Sequence, residues 1–494
     1  MYVRSWPAPL PNGVGRPRFV QDFGLWSAEQ HAAAEQLEAS LDAVDLVRLV
    51  FCDPHGLTRS KTLSVPAFRA ALRNGMDFSP GPFIFDTGHA VAVDFQTDSG
   101  LGVAELRGAG DFVLVPDPLT FQVLPGGAAR TGWILGDEYL RDGRPHPLST
   151  RHVLRRVARS YAEAGLSPIV GIEVEWYLTR RLPGPPGQET NGFGAQAEAP
   201  PVEAVNAGYQ FNLDARYDSV AGVTDPLALQ LAGLGLPLRS MEHESGPGQV
   251  ETTLDPLGAL DAADAMLLLR SVIKQACARR GYHASFMSLP GLDGFDPSGW
   301  HIHQSVADPA GRNIFADSTD PDALSEAGRA YVAGLLAHAR GLCLLSVPTV
   351  NGYHRLGKEF SLSPTRIGWS FEDRTVLVRA LGGGSSTHLE NRLAEPSANP
   401  YLAIGSQLYA GLTGLNGTAG PVPGDEATVP NSLPESLAAF GAGGAADLLG
   451  APLAGCLTRL KQSEAARFAA WSAQQPTIPA GVTAWEHREY FEVF

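Results

Sequence analysis

At 494 residues the chain is too long for one simple hydrophobic core, which predicts two or three domains. Apolar residues make up 44% and charged residues 18%, a globular composition with a large buried fraction. The formal charge of −15, with no run of Lys or Arg, excludes the basic stripe that a nucleic-acid surface needs. No stretch approaches the ~18–20 apolar residues of a membrane span, and Met1 to Gly24 holds Arg4, Arg16 and prolines but no signal-peptide core. Cys52, Cys277, Cys343 and Cys456 lie far apart, in no metal or redox spacing, and read as small buried hydrophobes of a reducing compartment. The expectation is a soluble, cytoplasmic protein with neither nucleic acid nor membrane as a partner.

In chain order, Val44–Phe51 (VDLVRLVF) and Asp111–Val115 (DFVLV) are short β-branched runs bounded by turn residues and predict strands. A boundary falls near His146–Thr150, between a strand-rich segment and a larger α+β one. Ser149 caps a helix predicted over Arg151–Gly165, followed by a strand at Ile169–Leu178 (IVGIEVEWYL). Leu182–Pro201, rich in glycine and proline, reads as a surface insertion. Ala259–Arg280 and Ala323–Leu345 have helical length and Ala/Leu/Arg content, and Gly417–Pro434 reads as a long loop. The glycine strings Gly382–Gly384 and Gly441–Gly444 lack phosphate-loop spacing and are read as ordinary loops.

The chemistry lies in pairs at i, i+2. Glu173 and Glu175 project side by side from an otherwise apolar strand, and adjacent buried anions are costly unless a hard cation neutralises them. His301 and His303 in SGWHIHQSV share a face in the same way. In MEHESGPGQVETTL a Gly-Pro-Gly turn brings Glu244 and Glu251 toward a common point. Glu390 and Arg392 share a face of THLENR if it is extended, and Arg355, Arg366, Arg374 and Arg379 precede it in a chain with few charges. Each segment alone has an ordinary structural reading. Together they supply metal ligands and forked phosphate donors, the needs of a Mg-dependent phosphoryl-transfer enzyme.

The ordered series GIEVEW, EHESGPGQVE, SGWHIHQS, VPTVNGYHRL, RTVLVR, HLENR and ANPYLA resembles the glutamine synthetase superfamily, type I-like, from about Val44 to the C-terminus. The resemblance implies an α+β fold, with an N-terminal extension (1–24), a β-grasp domain (25–146) and a catalytic domain (147–494) built on a curved antiparallel sheet flanked by helices. It implies a homo-oligomeric ring, a dodecamer of two hexamers with active sites at subunit interfaces. It implies ATP and two or three Mg²⁺ or Mn²⁺ ions, one site using Glu175, Glu244 and Glu251 and the other Glu173, His301 and Glu390. Glu175 and Glu244 also border the substrate, and Arg355 and Arg392 match the residues that hold glutamate. His303, Ser305, Arg374 and Arg379 match the nucleotide-facing group, both arginines also serving catalysis. Asp53, in VFCDPHG, matches the catalytic aspartate lent to a neighbouring subunit's amine site.

Several positions depart from the family pattern. Asp296-Pro297 replaces the Asn-Gly that helps bind glutamate, and proline offers no N–H. Beyond Arg355 the chain reads LGKEFSLSP, one residue longer than usual, and Glu359 is an imperfect stand-in for the carboxylate that orients ammonium. The FMxKP segment is Phe286-Met287-Ser288-Leu289-Pro290 here, lacking its lysine, and Asp373 replaces the usual Asn. An intact metal set beside an altered ammonium pocket favours a γ-glutamylamide synthetase acting on glutamate and an organic amine such as a polyamine, alkylamine, ethanolamine or aniline. The alternatives are an ammonia-assimilating glutamine synthetase and an inactive structural subunit.

Overall fold

The computed structural model describes residues 18–184, 194, 196, 198–317, 319–320, 323–356, 362–424, 426–477 and 481–494. Glu359, most of the expected N-terminal extension and part of the insertion at 182–201 therefore lie outside the described residues.

Residues 46–139 contribute six strands: β1 (Leu46–Cys52), β2 (Thr58–Ser64), β3 (Met76–Phe78), β4 (Phe112–Pro116), β5 (Gln122–Leu124) and β6 (Thr131–Tyr139). They pair in the order β2-β1-β6-β4-β3, with β5 on β6, and β1 runs parallel to β6. The second sheet has nine strands: β7 (Ser167–Arg181), β8 (Val202–Ala204), β9 (Leu238–His243), β10 (Gln249–Gly258), β11 (Tyr282–Ser285), β12 (Trp300–Ala307), β13 (Trp369–Phe371), β14 (Val378–Leu381) and β15 (His388–Asn391). Its order is β13-β14-β15-β12-β7-β10-β9, with β8 and β11 also on β7, and it curls into a half-barrel. Among the described residues its pairs are antiparallel, as expected, except β13 with β14, which run parallel.

β7 is the spine of this sheet. Val170, Ile172, Val174, Trp176 and Leu178 are all fully buried on one face, so that Glu173 and Glu175 occupy the other. Against the buried face lie helices of high apolar content. Ala259–Arg279 packs on β7, β10 and β11, and Pro400–Leu415, buried on nearly all sides, packs on helices Thr150–Glu163, Ala259–Arg279 and Glu326–His338. Ser149 does cap the helix at Thr150, accepting from the His152 N–H.

The predicted helix Ala323–Leu345 is two pieces, Glu326–His338 and Cys343–Ser346. Ser325 starts it late by accepting the Gly328 N–H, and Gly341 lies in the break, where its backbone approaches Gly443. The loop predicted at Gly417–Pro434 ends two residues early, because Ser432 caps helix Leu433–Ala442 and Pro434 sits in its first turn. All four cysteines are free and buried. No described helix is long and apolar enough to cross a membrane.

A buried ion cluster joins the two sheets' segments. Arg151 reaches Asp264 at 2.6 Å, Asp137 at 2.8 Å and Asp117 at 3.0 Å, while Arg155 adds Asp137 at 2.6 Å. Tyr401 donates to Asp264 at 2.6 Å. Asp117 and Asp137 follow from the first sheet and Asp264 from helix Ala259–Arg279, so every acid in the bolt has an arginine partner.

Candidate active site

Strand register assembles the acids in a row across the half-barrel. Glu242 on β9 lies opposite Glu251 on β10, and Glu251 lies opposite Glu175 on β7. Glu173 pairs with His301 on β12, His303 with Glu390 on β15, and Glu390 with Arg379 on β14. Glu244 enters from the turn after β9, closed by its N–H on the Gln249 carbonyl at 2.9 Å. That turn needs Gly246: a Cβ there would lie 2.0 Å from the Tyr177 hydroxyl.

The contacts within the row are close. His301 Nδ1 is 2.5 Å from Glu173 and 3.5 Å from Glu390, and His303 Nε2 is 3.1 Å from the other Glu173 oxygen. Arg379 donates to Glu390 at 3.2 Å and also pairs with Glu372, while one Arg392 nitrogen donates to the opposite Glu390 oxygen. Two triads, Glu173–His303–Glu390 and Glu173–Glu251–His301, each place one ligand atom per residue within 4.8 Å of the others. Glu175 is held by the Gly299 N–H at 2.8 Å.

The electrostatics divide the row into two ends. Burial works against the Glu173 anion, yet the charges and hydrogen bonds of His301 and His303 hold its pKa below the usual carboxylate range. Glu390 is lowered against the same burial by His301 and Arg392. At the other end burial raises Glu175, and burial together with Glu175, Glu242 and Glu173 raises Glu244 to about 8. Glu251 is pushed further up, first by burial and then by four neighbouring carboxylates. Hard oxygen donors that repel one another, flanked by two imidazoles, fit hard divalent cations such as Mg²⁺ or Mn²⁺. Near Glu390, the Nε–H groups of Arg379 and Arg392 are buried with no hydrogen-bond partner among the described residues, donors that suit an anion.

The sequence-derived residues thus divide. Glu173, Glu175, Glu244, Glu251, His301, His303, Glu390, Arg379 and Arg392 come together, and Ser305 lines the same cleft. Arg355 is 3% exposed and adjoins the row at Gly299, but its fork donates to the Arg392, Leu393 and Ala394 carbonyls at 2.5–3.2 Å. Arg374 is exposed in the turn between β13 and β14. Asp53 is not brought to the row. Its carboxylate is wholly buried in its own turn, accepting the His55 and Leu57 N–H groups and pairing with Arg59 at 2.7 Å.

A cleft of about 530 Å³ opens over the row, lined among others by Glu173, Glu242, Glu251, His303, Ser305 and His388. Glu242 and His388 carried no assigned role in the sequence reading. Glu242 had a signal, since it is two residues before Glu244 in the same motif. For His388 the only signal was its place two residues before Glu390 on β15, and its ring stands 5.3 Å from that of His303.

A family model described as the glutamine synthetase catalytic domain matches residues 147–478. The chain is 38% identical to γ-glutamylanilide synthase of Acinetobacter sp., over 96% of its own length and 99% of that protein's. It is 30% identical to glutamate–isopropylamine ligase of Pseudomonas sp. (76% of this chain, 79% of that one) and 31% identical to glutamine synthetase of Methanosarcina mazei (76% and 77%). Among solved structures, a crystal structure of a novel glutamine synthase homolog superposes with a TM-score of 0.72 at 24% identity, covering 90% of this chain and 97% of that one. A GmaS/ADP complex gives 0.71 at 24%, covering 92% and 98%. With the strand register, the acid row and these matches in agreement, the chain belongs to the glutamine synthetase family.

Proposed function

We propose that the protein is an ADP-forming carbon–nitrogen ligase that joins the γ-carboxyl of glutamate to an organic amine. The observation that carries the phosphoryl-transfer half is the row itself: two carboxylate–imidazole triads beside Glu390 with its two arginines. The family uses ATP and divalent ions generally. Likeness to γ-glutamylanilide synthase over nearly the whole length, against three-quarters of the length for the M. mazei glutamine synthetase, supports an organic amine over ammonium.

In this reading Glu175, Glu244 and Glu251 would hold one ion and Glu173, His301 and Glu390 another. Bound there, such ions would neutralise phosphate charge and the repulsion among the acids. His303, Ser305, Arg374 and Arg379 receive the nucleotide, and Arg355 and Arg392 shape the end of the site that takes the acid. The γ-carboxylate oxygen of glutamate attacks the γ-phosphorus of ATP, ADP leaves, and an acyl phosphate remains. The amine nitrogen then attacks the acyl carbon, phosphate leaves with the bond pair, and the nitrogen gives up its proton. Asp53 acts from the Asp53–Arg59 turn toward a neighbouring subunit. The assembly is a ring, a dodecamer in two hexamers, in the cytoplasm. Residues 25–146 form a β-grasp domain and 147–494 the catalytic one.

The test is phosphate release from ATP, Mg²⁺ and glutamate across a panel of amines that includes anilines, alkylamines, polyamines, ethanolamine and ammonium, with products identified by mass. Release with an organic amine well above ammonium supports the proposal. Ammonium as the best acceptor makes the protein a glutamine synthetase, and silence with every amine, repeated with other amino acids in place of glutamate, favours a structural subunit.

A further inference from the structure

Arg355 is the last residue but one of the described segment 323–356, and beyond helix Cys343–Ser346 its residues 347–356 have almost no regular structure: a single 3₁₀ turn at Asn351–His354. Loops of that kind are ordinarily held by their own turns. This one has such bonds, Gly352 N–H to the Thr349 hydroxyl at 3.0 Å and the Tyr353 hydroxyl to the Val347 carbonyl at 2.8 Å, and is held from outside as well by buried polar groups. The Thr349 N–H and hydroxyl donate to Glu395 at 3.0 and 2.9 Å, and Glu395 is wholly buried. The Val350 N–H donates to the Tyr490 hydroxyl at 3.2 Å, and that hydroxyl in turn donates to buried Glu464 at 2.5 Å. Asn351 accepts the Leu289 N–H at 2.8 Å and donates to the Leu289 carbonyl at 3.0 Å, with a longer reach of 3.4 Å to Glu486. A Cβ at Gly352 would lie 2.1 Å from the Glu395 carboxylate, so glycine lets the loop sit directly on that group. His354 Nε2 is 2.8 Å from Glu486, which is 0% exposed.

Two of these partners, Glu486 and Tyr490, lie on one short helix, Ala484–Tyr490, more than 130 residues further along the chain. The helix is itself fixed. Thr483 and Glu486 form a reciprocal cap at its start, in which the Glu486 Oε2 accepts the Thr483 N–H at 2.8 Å and its hydroxyl at 2.7 Å. Tyr490 ends on Glu464, which pairs with Lys461 at 2.7 Å, so the helix is tied to helix Ala451–Ser472. Glu486 therefore divides its oxygens, one for its own helix and one for the loop.

We infer that Glu486 and Tyr490 are positioning residues for the acid-binding end of the site, setting the backbone that leads into Arg355 and through it the carbonyls of residues 392–394. The inference rests on the proposed reading for the acid-binding role of Arg355 and for glutamate as the acid. The physical warrant is that a buried carboxylate bonded to a charged or polar partner is costly to disturb, by an amount equal to about tenfold or more in an equilibrium. Neither residue touches the row of metal-fitting acids, so nucleotide binding has no reason to respond.

The experiment compares the full-length protein with Tyr490→Phe, Glu486→Ala and His354→Gln. Hydrogen exchange of the peptide covering residues 347–356 is read first, since it needs no substrate. Tyr490→Phe and Glu486→Ala should raise exchange there while leaving β7 and β12 protected. His354→Gln, which keeps a donor toward Glu486, should lie near the parent. Turnover is then read with the acid the parent uses: KM for the acid should rise about tenfold or more in Glu486→Ala, with KM for ATP within about twofold. Unchanged exchange in 347–356, or equal rises in both KM values, would overturn the inference. A parent that ignores glutamate but uses another acid overturns the proposed substrate and leaves this comparison intact.

Discussion

Asp117, Asp137 and Asp264 on one hand, and Glu175, Glu244 and Glu251 on the other, are groups of acids withdrawn from water by the same fold. The aspartates have Arg151 and Arg155 in their midst, and Asp137 is held far below its usual pKa by those arginines despite burial. The glutamates face mainly one another, and Glu244 is pushed up to about 8. Charge supplied within the chain makes the first group a permanent bolt between the first sheet and helices Thr150–Glu163 and Ala259–Arg279. Charge left to be supplied from outside makes the second a place that fits cations. A buried acid cluster is thus read by what neutralises it, not by its acids.

The largest effect expected from breaking this contrast is on chemistry. Glu173→Ala or His301→Ala should lower phosphate release by about 10³-fold or more, because each removes a ligand atom from both or one of the triads. Size-exclusion chromatography should show an unchanged assembly, and normal turnover in either variant would remove the metal assignment. Next comes Arg151→Ala, which leaves Asp117, Asp137 and Asp264 without their main partner and should cost about 3–5 kcal/mol of unfolding free energy in a denaturant titration. A loss confined to activity, with stability unchanged, would deny the bolt. Arg355→Ala should raise KM for the acid substrate by about tenfold with a smaller change in KM for ATP. Equal changes in both would place Arg355 outside the acid end.

The smallest effect sharpens the comparison through pH. The folded pKa of Glu244 is raised from 4.5 to about 8, so its neutral form stabilises the fold below the unfolded pKa. That contribution is lost as pH rises through about 8, and Glu251 adds to it with the same sign. Asp137 has the opposite sign, its contribution being present above the unfolded pKa and lost in acid. The part of the metal-free Tm that these glutamates set should therefore fall between about pH 5 and pH 8, and Mg²⁺ should raise Tm by more at pH 8 than at pH 5.5. A Mg²⁺ effect equal at both values would mean that the ion does not meet these carboxylates.

Much of the site was legible from residue spacing. The i, i+2 pairs Glu173/Glu175 and His301/His303 need only the two-residue period of a strand, and β7 and β12 supply it. Glu244 and Glu251 needed one turn, marked by Gly-Pro-Gly. The Arg151 bolt was not legible, because its acids come from positions 117, 137 and 264 and carry no local pattern. Asp53 and Arg355 were legible as residues but not as contacts: one is enclosed by Arg59 and the turn's own N–H groups, the other spends its fork on carbonyls. The helix expected over Ala323–Leu345 failed at residues 339–342, where packing of Gly341 against Gly443 outweighs helical composition.

Local sequence by itself determined which residues share a face and which family the motifs belong to, because strand periodicity and turn chemistry act over a few residues. The tertiary structure alone decided which of those faces meet, which acids receive an arginine from elsewhere in the chain, and which remain to be neutralised by something bound. Those outcomes depend on pairing between strands and helices far apart in sequence, and on burial that only the assembled fold imposes.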